Sequence, residues 1–411
     1  MGKEVLPGEV SAISLNHPNA MSSYVRLIIA AVIIGLSAGL TVAANAGVAE
    51  EDVKAYKDFL SKAEKGDMES QYLVGAYLST GRGVPQDESK SIAWYARSAA
   101  QGFSEAQYSL GLRHATGTGT VKDGVQAANW FRKAAEQGHA LGAFNFGLCY
   151  TKGFGVTQDS TQATYWIRKA VADGLPFDNL LNSAQHDIPE VQLEVGICYL
   201  TGIGAEKDQK KSFFWIEKAA QQGRSEAENE LGLCYQIGNG VPIDFAKAAY
   251  WYGKAAEKGH PNAQYNLALL FKAGAGVEQN FALAASWWRK AADQEHPQAQ
   301  YNLGLCYARG VGIRSDAKEA FYWFKRAAQL GSAEAQNGVG FFYATGQGVA
   351  KNLVEAFAYY NVSGTNLEIT KANLANIKSE MTLEQISSGI QRSIELRKEI
   401  EAKMVAKKTG K

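Results

Sequence analysis

Apolar residues recur at intervals of three and four in short segments along most of the chain, which is the spacing of one face of an α-helix. Residues 299–307 read AQYNLGLCY, and residues 320–328 read AFYWFKRAA. Gly310, Gly312 and then Asp316 lie between them. Gly is typical of a helix end, and an Asp side chain can accept hydrogen bonds from the free N–H groups at a helix start. The pattern therefore predicts pairs of helices, helix one and helix two, joined by a short turn.

The helix pair is repeated eight times with a period of 36 residues, except for one step of 49. The units, numbered one to eight, begin at Ser70, Ala106, Gly142, Val191, Ala227, Ala263, Ala299 and Ala335. Five residues into the units stand Gly75, Gly111, Gly147, Gly196, Gly232, Ala268, Gly304 and Gly340. Eleven residues in stand Gly81, Gly117, Gly153, Gly202, Gly238, Gly274, Gly310 and Gly346. Seventeen residues in stand Asp87, Asp123, Asp159, Asp208, Asp244, Asn280, Asp316 and Asn352. Twenty-four residues in stand Trp94, Trp130, Trp166, Trp215, Trp251, Trp287, Trp323 and Tyr359.

Each of these columns predicts a structural role. The first Gly column allows helix two to pack closely on helix one, and the second Gly column ends helix one. The Asp and Asn column caps helix two. We expect the Trp column to form core by filling the space between neighbouring units. One helix pair cannot bury its apolar faces alone, so the stacked units share a continuous core.

The columns resemble the Sel-one-like repeat, a relative of the tetratricopeptide repeat. Residues 263–276 and 299–331 follow that family's pattern closely, with Ala268 in place of its first Gly. The resemblance covers about residues 56–365. It implies an all-α fold, a right-handed α/α superhelix (solenoid) of eight helix-pair repeats. It also implies a secreted or organelle-lumen adaptor that binds a partner protein through its concave face.

The ends of the repeat region are predicted to be capped, because terminal units of a solenoid must be shielded from solvent. We expect an N-terminal capping helix in residues 47–69, the eight repeats in 70–365, and capping helices with a basic tail in 366–411. Thr382 and Gln385 have the spacing of a capping box. The 49-residue step inserts about 13 residues near 176–188. This insertion is either a tolerated loop or extra helical turn, or a docking loop or kink.

The first 46 residues are interpreted as an N-terminal extension and a signal peptide. Leu27–Val42 is almost wholly apolar, Arg26 precedes it, and residues 44–46 have the small-x-small pattern of a cleavage site. The apolar segment is short for a membrane span, which needs about 20 residues. We therefore expect a periplasmic or secreted protein.

Two alternatives for this end stay open. Residues 27–46 could remain uncleaved as an inner-membrane anchor, which would be the protein's only membrane contact. The first 20 residues are polar and do not suit a signal peptide, whereas Met21 would begin a better one. The natural start is therefore hypothesised to be Met21.

The net charge and the Cys and His residues argue against several classes of function. With 42 basic and 41 acidic residues, the chain lacks the basic excess that nucleic-acid binding requires. The cysteines share one apolar column and are predicted to be buried, free thiols: Cys149, Cys198, Cys234 and Cys306. His139, His260 and His296 share the turn after helix two and are interpreted as solvated residues. No metal site and no cofactor are expected, because ligand spacings and nucleotide-binding motifs are missing.

A catalytic alternative was considered, because some secreted relatives carry a β-lactamase label. Ser315 and Lys318 have the spacing of that family's nucleophile motif, and residues 408–410 read KTG, but the sequence has no SDN element. Residues 315–318 lie where every unit caps helix two, so a cap is the simpler interpretation. An envelope enzyme acting on β-lactams or peptidoglycan remains the alternative to a non-catalytic scaffold.

Binding is expected on helix one, by comparison with the tetratricopeptide fold, where helix one lines the concave groove. The second and third residues after each unit start should lie near that groove. Asn amides can hydrogen-bond a peptide backbone, and Tyr offers contact area with a polar tip. The alternative is that Tyr packs on the next unit while Asn is merely solvated. The candidate peptide-binding residues are Asn229, Tyr265, Asn266, Tyr301 and Asn302.

Overall fold

The structure is a computed structural model that describes residues 50–364 and 368–409. In these residues all regular secondary structure is helical, so the predicted all-α solenoid of paired helices is confirmed. The helices are α1 (Glu50–Ala63), α2 (Met68–Thr80), α3 (Glu88–Ala100), α4 (Ser104–Thr116), α5 (Gly124–Glu136), α6 (Ala140–Lys152), α7 (Ser160–Ala172), α8 (Phe177–Ala184), α9 (Pro189–Thr201), α10 (Gln209–Gln221), α11 (Ser225–Ile237), α12 (Phe245–Glu257), α13 (Pro261–Ala273), α14 (Phe281–Asp293), α15 (Pro297–Arg309), α16 (Ala317–Gln329), α17 (Ala333–Thr345), α18 (Leu353–Ser363), α19 (Glu368–Glu380) and α20 (Leu383–Thr409).

The chain forms two compact bodies, Met1–Val195 and Gly196–Lys411, and the boundary lies within α9. The N-terminal body is described from Glu50 onward, so the predicted signal peptide lies outside the described residues. Among the helices that are described, none combines the length and the apolar composition that crossing a membrane requires.

Both predicted caps are confirmed in all eight units. The Gly eleven residues into each unit adopts a positive φ, from 65° at Gly153 to 82° at Gly202. Its N–H donates to the carbonyl four residues earlier, as Gly310 does to Cys306. The Asp or Asn column accepts backbone N–H bonds at the start of helix two, as Asp244 does from Lys247 at 2.9 Å. These caps fix where each helix starts and stops, and so fix the register of the repeat.

The Gly or Ala five residues into each unit is contacted by a side chain of helix two. That side chain belongs to the residue one position after the Trp column. Tyr252 is 0% exposed, and a Cβ on Gly232 would lie 2.7 Å from its ring. The equivalent residues are all buried: Tyr95, Phe131, Ile167, Ile216, Trp288, Phe324 and Tyr360. The close approach of helix two at Gly was therefore predicted correctly, whereas no prediction was made of the side chain that packs there.

The Trp column lies at the border between core and solvent in most units. It is buried only at Trp323 and Tyr359 and half-buried at Trp94, Trp130, Trp166, Trp215, Trp251 and Trp287. A cation three residues later covers five of these rings, at distances from 3.8 Å for Lys290 over Trp287 to 5.5 Å for Lys218 over Trp215. The prediction that this column is core is therefore confirmed for two units. It is correct only in part for Trp94, Trp130, Trp166 and Trp287, which pack against core clusters but stay half-buried.

A buried glutamine links neighbouring units, and the sequence analysis did not identify it. Gln264 donates from Nε2 to the Ala256 carbonyl at 3.1 Å, and its Oε1 accepts from Gln294 at 2.9 Å. The first bond recurs, each time to a carbonyl eight residues earlier, from Gln71, Gln107, Gln192, Gln300 and Gln336. Carbonyl groups at a helix end lack hydrogen-bond partners within their own helix. Each Gln lies on helix one of its unit and donates a hydrogen bond to such a carbonyl at the end of the helix that precedes it in the chain.

The insertion near 176–188 forms the short helix α8. Its Leu180 and Ala184 are 1% and 0% exposed. The Ala184 carbonyl accepts from Gln192 at 3.0 Å, as the last turn of helix two does in other units. The inserted segment thus takes the position of a helix two in front of unit four, and it is neither a plain loop nor a single extra turn.

Helices α1 and α20 pack on the first and last units. Asp52 of α1 pairs with Arg82 at 2.7 Å. On α20, Leu396 and Ile400 are buried in a cluster with Tyr359. The predicted capping box also forms, because Thr382 N–H donates to Gln385 Oε1 at 2.9 Å and Gln385 N–H donates to Thr382 Oγ1 at 3.2 Å.

Candidate functional site

Four of the five candidate residues form hydrogen bonds that join helix one of one unit to helix one of the next unit in the C-terminal body. Asn266 donates from Nδ2 to Asn229 Oδ1 at 3.3 Å, between residues 37 positions apart. Asn302 hydrogen-bonds the hydroxyl of Tyr265, again 37 positions earlier. The pattern arises because stacking sets the second residue of one unit beside the third residue of the next. These side chains are therefore partly structural, and not merely solvated.

Asn229 differs from the other four candidates in its burial. It is 5% exposed, and its Nδ2 donates to Glu230 Oε1 at 3.2 Å while its Oδ1 accepts from Asn266. Both ends of its amide thus make a hydrogen bond within the fold, and Asn229 is not included in the binding site proposed below. The remaining candidates are half-buried: Tyr265, Asn266, Tyr301 and Asn302.

Units six and seven share a surface cavity of about 540 Å³. Tyr265, Tyr301 and Asn302 line one part of it, and residues 330–334, which form the turn after α16 and the start of α17, line another. Ligand pockets usually have volumes of about 300–1,000 Å³. Three of the five candidates are therefore brought together around a space large enough for a side chain or a short peptide segment, whereas Asn266 lies outside its lining.

Tyr265 is held in place by its neighbours. Its ring stacks on the imidazole of His296 with centroids 4.7 Å apart. Burial raises the pKa of the Tyr265 hydroxyl, and the hydrogen bond with Asn302 offsets part of that rise. The hydroxyl is therefore protonated at neutral pH. A ring and a hydroxyl fixed in this way lose little conformational freedom on binding.

The three turn histidines are helix N-caps, which corrects their interpretation as solvated residues. His260 Nδ1 accepts from the Ala263 N–H at 3.2 Å, and His296 Nδ1 accepts from the Ala299 N–H at 3.2 Å. His139 makes the same bond with Gly142 at 3.0 Å. An imidazole can accept at Nδ1 only while that nitrogen is unprotonated. The start of helix one in three units therefore depends on a neutral histidine.

We expect the stability of the repeats around His260 to fall on acidification. Burial lowers the pKa of His260, and Glu226 opposes this only in part. Folding thus favours the neutral form of His260. The contribution of this cap to stability is complete above the unfolded pKa near 6.5 and is lost as the pH falls below that value. His260→Asn keeps a cap and cannot titrate. Between pH 7.5 and 5, wild type should lose about 0.5–1 kcal/mol more than His260→Asn in urea unfolding. Identical losses would contradict the cap.

The cysteines are free and buried, as predicted: Cys149, Cys198, Cys234 and Cys306. Burial raises the pKa of Cys149 to about 12 and that of Cys234 to about 11, so these two are thiols at neutral pH. No group of three or more His, Cys, Asp or Glu side chains is placed to hold a metal ion in residues 50–364 and 368–409.

The segment that resembles a nucleophile motif is a helix cap. Asp316 Oδ1 accepts from the Lys318 N–H at 2.9 Å and from the Glu319 N–H at 3.1 Å, at the start of α16. The interpretation of this segment as a cap is confirmed. The KTG sequence lies only partly in the described residues, since α20 ends at Thr409.

Comparison with known proteins agrees with the repeat register. The Sel1 repeat family model matches eight segments: residues 69–103, 104–139, 140–175, 189–223, 225–260, 261–296, 297–332 and 333–362. No curated protein matches the chain.

Two solved structures illustrate the similarity. A Sel1 repeat protein from Oxalobacter formigenes is 29% identical, with 78% of this chain and 89% of that chain covered and a TM-score of 0.49. A protective antigen of uropathogenic Escherichia coli with an SLR fold is 28% identical, with 87% and 90% covered and a TM-score of 0.41. The eight family matches cover more than half of the chain, and the chain belongs to the Sel1 repeat family.

Proposed function

We propose that the protein is a non-catalytic scaffold that binds a segment of a partner protein across units six and seven. Proteins with Sel1 repeats generally serve as scaffolds for protein interactions. The observation that carries the proposal is the cavity of about 540 Å³ lined by Tyr265, Tyr301 and Asn302. It combines aromatic contact area with an amide that can both donate and accept.

The half-buried state of these residues supports a binding role in addition to their structural one. Asn302 hydrogen-bonds Tyr265 and also faces the cavity. An amide has two N–H donors and a carbonyl acceptor, so one bond to Tyr265 leaves capacity for a peptide N–H and C=O. Because Tyr265 is already fixed by His296, little side-chain ordering remains to oppose binding.

Replacing the two asparagines should separate binding from folding. We expect Asn266→Ala with Asn302→Ala to weaken the binding of peptides selected on wild type from a random display library by about tenfold or more. The loss of binding is expected from Asn302, which lines the cavity, because a buried partner left without its hydrogen bond costs about 1–3 kcal/mol. Asn266 lies outside the lining and acts through its bond to Asn229. Each change should also lower the unfolding free energy by about 1 kcal/mol, since both residues hydrogen-bond a neighbouring unit. Fluorescence anisotropy measures the first effect and urea unfolding the second.

Asn145 supplies the matched control. It occupies the same position in unit three, donates to the Tyr108 hydroxyl at 3.3 Å and is 6% exposed. Asn145→Ala should therefore lower stability about as much as either of the two changes alone and leave peptide binding unchanged. Equal weakening of binding by the control would mean that the variants act through stability alone, and it would remove units six and seven as the binding site.

The proposal includes export, on the basis of the N-terminal segment. Bacterial Sel1 repeat proteins are often secreted or periplasmic. Leu27–Val42 followed by the small residues at 44–46 has the order of a cleaved signal. Amino-terminal sequencing of the mature protein tests this, with a start at Gly47 expected and a retained apolar segment as the contrary result.

A further inference from the structure

A second cavity, of about 70 Å³, shares Asn302 with the larger one, and its mostly apolar wall includes two cations. Lys272, Trp288, Cys306 and Arg309 contribute to its wall. Lys272 lies in the last turn of α13 and Arg309 in the last turn of α15, and both are exposed. The Lys272 ammonium lies 6.0 Å from the centroid of the Trp288 ring. Two positive charges therefore border one small space.

Neither cation has an ion-pair partner in the described part of the C-terminal body. Cys306 does not supply a charge, because burial raises the pKa of its thiol and Lys272 counteracts this only in part. Cations in the last turn interact favourably with the helix dipole, which accounts for their positions but not for the cavity beside them.

The indole N–H of Trp288 adds an independent observation. Trp288 is 3% exposed, and its Nε1 has no hydrogen-bond partner. A buried Trp N–H normally finds an acceptor, since leaving a donor unsatisfied costs free energy. The cavity wall thus holds two cations, an amide and a donor that lacks its acceptor, which together are the complement of an anion with oxygen atoms.

We propose that this cavity binds a carboxylate group of the peptide segment that occupies the adjoining larger cavity. The inference rests on the proposed function. Arg309 can hold a planar carboxylate through two parallel N–H bonds, and Lys272 adds a point charge. The Trp288 N–H supplies a neutral donor. The carboxylate can belong to an Asp or Glu side chain or to a chain terminus, because the recognised group is the same.

Titration with small carboxylates tests the site without a partner protein. The Trp288 indole N–H resonance, assigned through Trp288→Phe, is followed by ¹H–¹⁵N NMR on the full chain. Three probes are added in turn. N-acetyl-glutamate α-amide carries only a side-chain carboxylate, N-acetyl-dialanine carries only a terminal one, and N-acetyl-glutamine α-amide carries none. We expect a saturable downfield shift with one or both carboxylates and none with the uncharged probe.

Charge variants supply the control. Lys272→Gln with Arg309→Gln should raise the dissociation constant of the responding probe by about tenfold or more. Lys318→Gln with Lys325→Gln changes the net charge equally on α16 and should leave that constant unchanged. Because Lys272 and Arg309 are exposed, their replacement should not unfold the protein.

Three outcomes would overturn the carboxylate site. They are an indole resonance that does not respond, a response that survives Lys272→Gln with Arg309→Gln, and an equal response to inorganic phosphate. If one of these occurs while peptide binding still depends on Asn302, the scaffold proposal stands and only the subsite fails. A carboxylate response in a protein that selects no peptides would support the subsite and count against the scaffold.

Discussion

Tyr252→Ala should lower the unfolding free energy of the C-terminal body by about 3–5 kcal/mol, the range for a large-to-small change in a packed core. Tyr252 is 0% exposed, packs on Gly232, and donates its hydroxyl proton to Gln236 Oε1 at 2.6 Å. Its removal leaves a cavity between helix one and helix two of unit five. Since repeats couple mainly to their neighbours, hydrogen exchange should accelerate most in residues 227–262 and in the adjoining units.

Trp251 provides the comparison, because it is the adjacent residue and belongs to the Trp column. It is half-buried, and the Lys254 ammonium lies 4.7 Å from its ring centroid. Trp251→Ala should therefore cost less than Tyr252→Ala, about 1–2 kcal/mol, although it deletes the larger side chain. Losses that are equal, or larger for Trp251→Ala, would contradict the assignment of the core to the residue after the Trp column.

Lys258→Ala should lower the unfolding free energy by about 2–3 kcal/mol, because it leaves a buried carboxylate poorly compensated. Glu228 stands in unit five where six units have the linking Gln, and it is 0% exposed. Lys258 donates from Nζ to Glu228 Oε1 at 2.6 Å and to the Gly223 carbonyl at 2.7 Å. In its absence only Lys254 remains near the carboxylate, at 3.8 Å. Urea unfolding at neutral pH measures the loss.

A second substitution shows whether the charge is responsible. Glu228→Gln in the Lys258→Ala background removes the buried charge and should recover most of the lost stability. Glu228→Gln with Lys258→Gln recreates the pairing of Gln264 with Gln294 and should be close to wild type. If Glu228→Gln rescues nothing, the loss comes from the Lys258 bond to Gly223 and not from an uncompensated carboxylate.

The helix ends could be predicted from the sequence because their chemistry is local. A Gly with a positive φ ends helix one, and an Asp or Asn oxygen caps helix two within three residues, so neither depends on a distant part of the chain. The core residue could not be chosen in the same way. Trp251 and Tyr252 are adjacent aromatic residues, and only packing against Gly232 shows that Tyr252 points inward.

The polar side chains that join units were harder to interpret. Gln264 and its equivalents follow the buried first residue of their unit, and a polar residue is usually exposed. The sequence did carry one sign of a structural role, because Gln recurs at this position in six units. The Asn266 bond to Asn229 and the role of His260 as a cap depend on side chains that come together only after stacking or turn formation. The candidate residues were therefore located correctly on helix one, whereas their hydrogen bonds were not foreseen.

Site-specific photocrosslinking in the organism that makes the protein tests the central claim most directly. A photoreactive phenylalanine analogue is placed at Tyr301, which lines the larger cavity, or at Tyr322, which is 48% exposed on helix two of the same unit. The account predicts a discrete crosslinked protein from position 301 that is absent from position 322 and is lost when Asn266→Ala and Asn302→Ala are added. The same crosslinked protein from both positions, or from position 322 alone, would contradict binding across units six and seven.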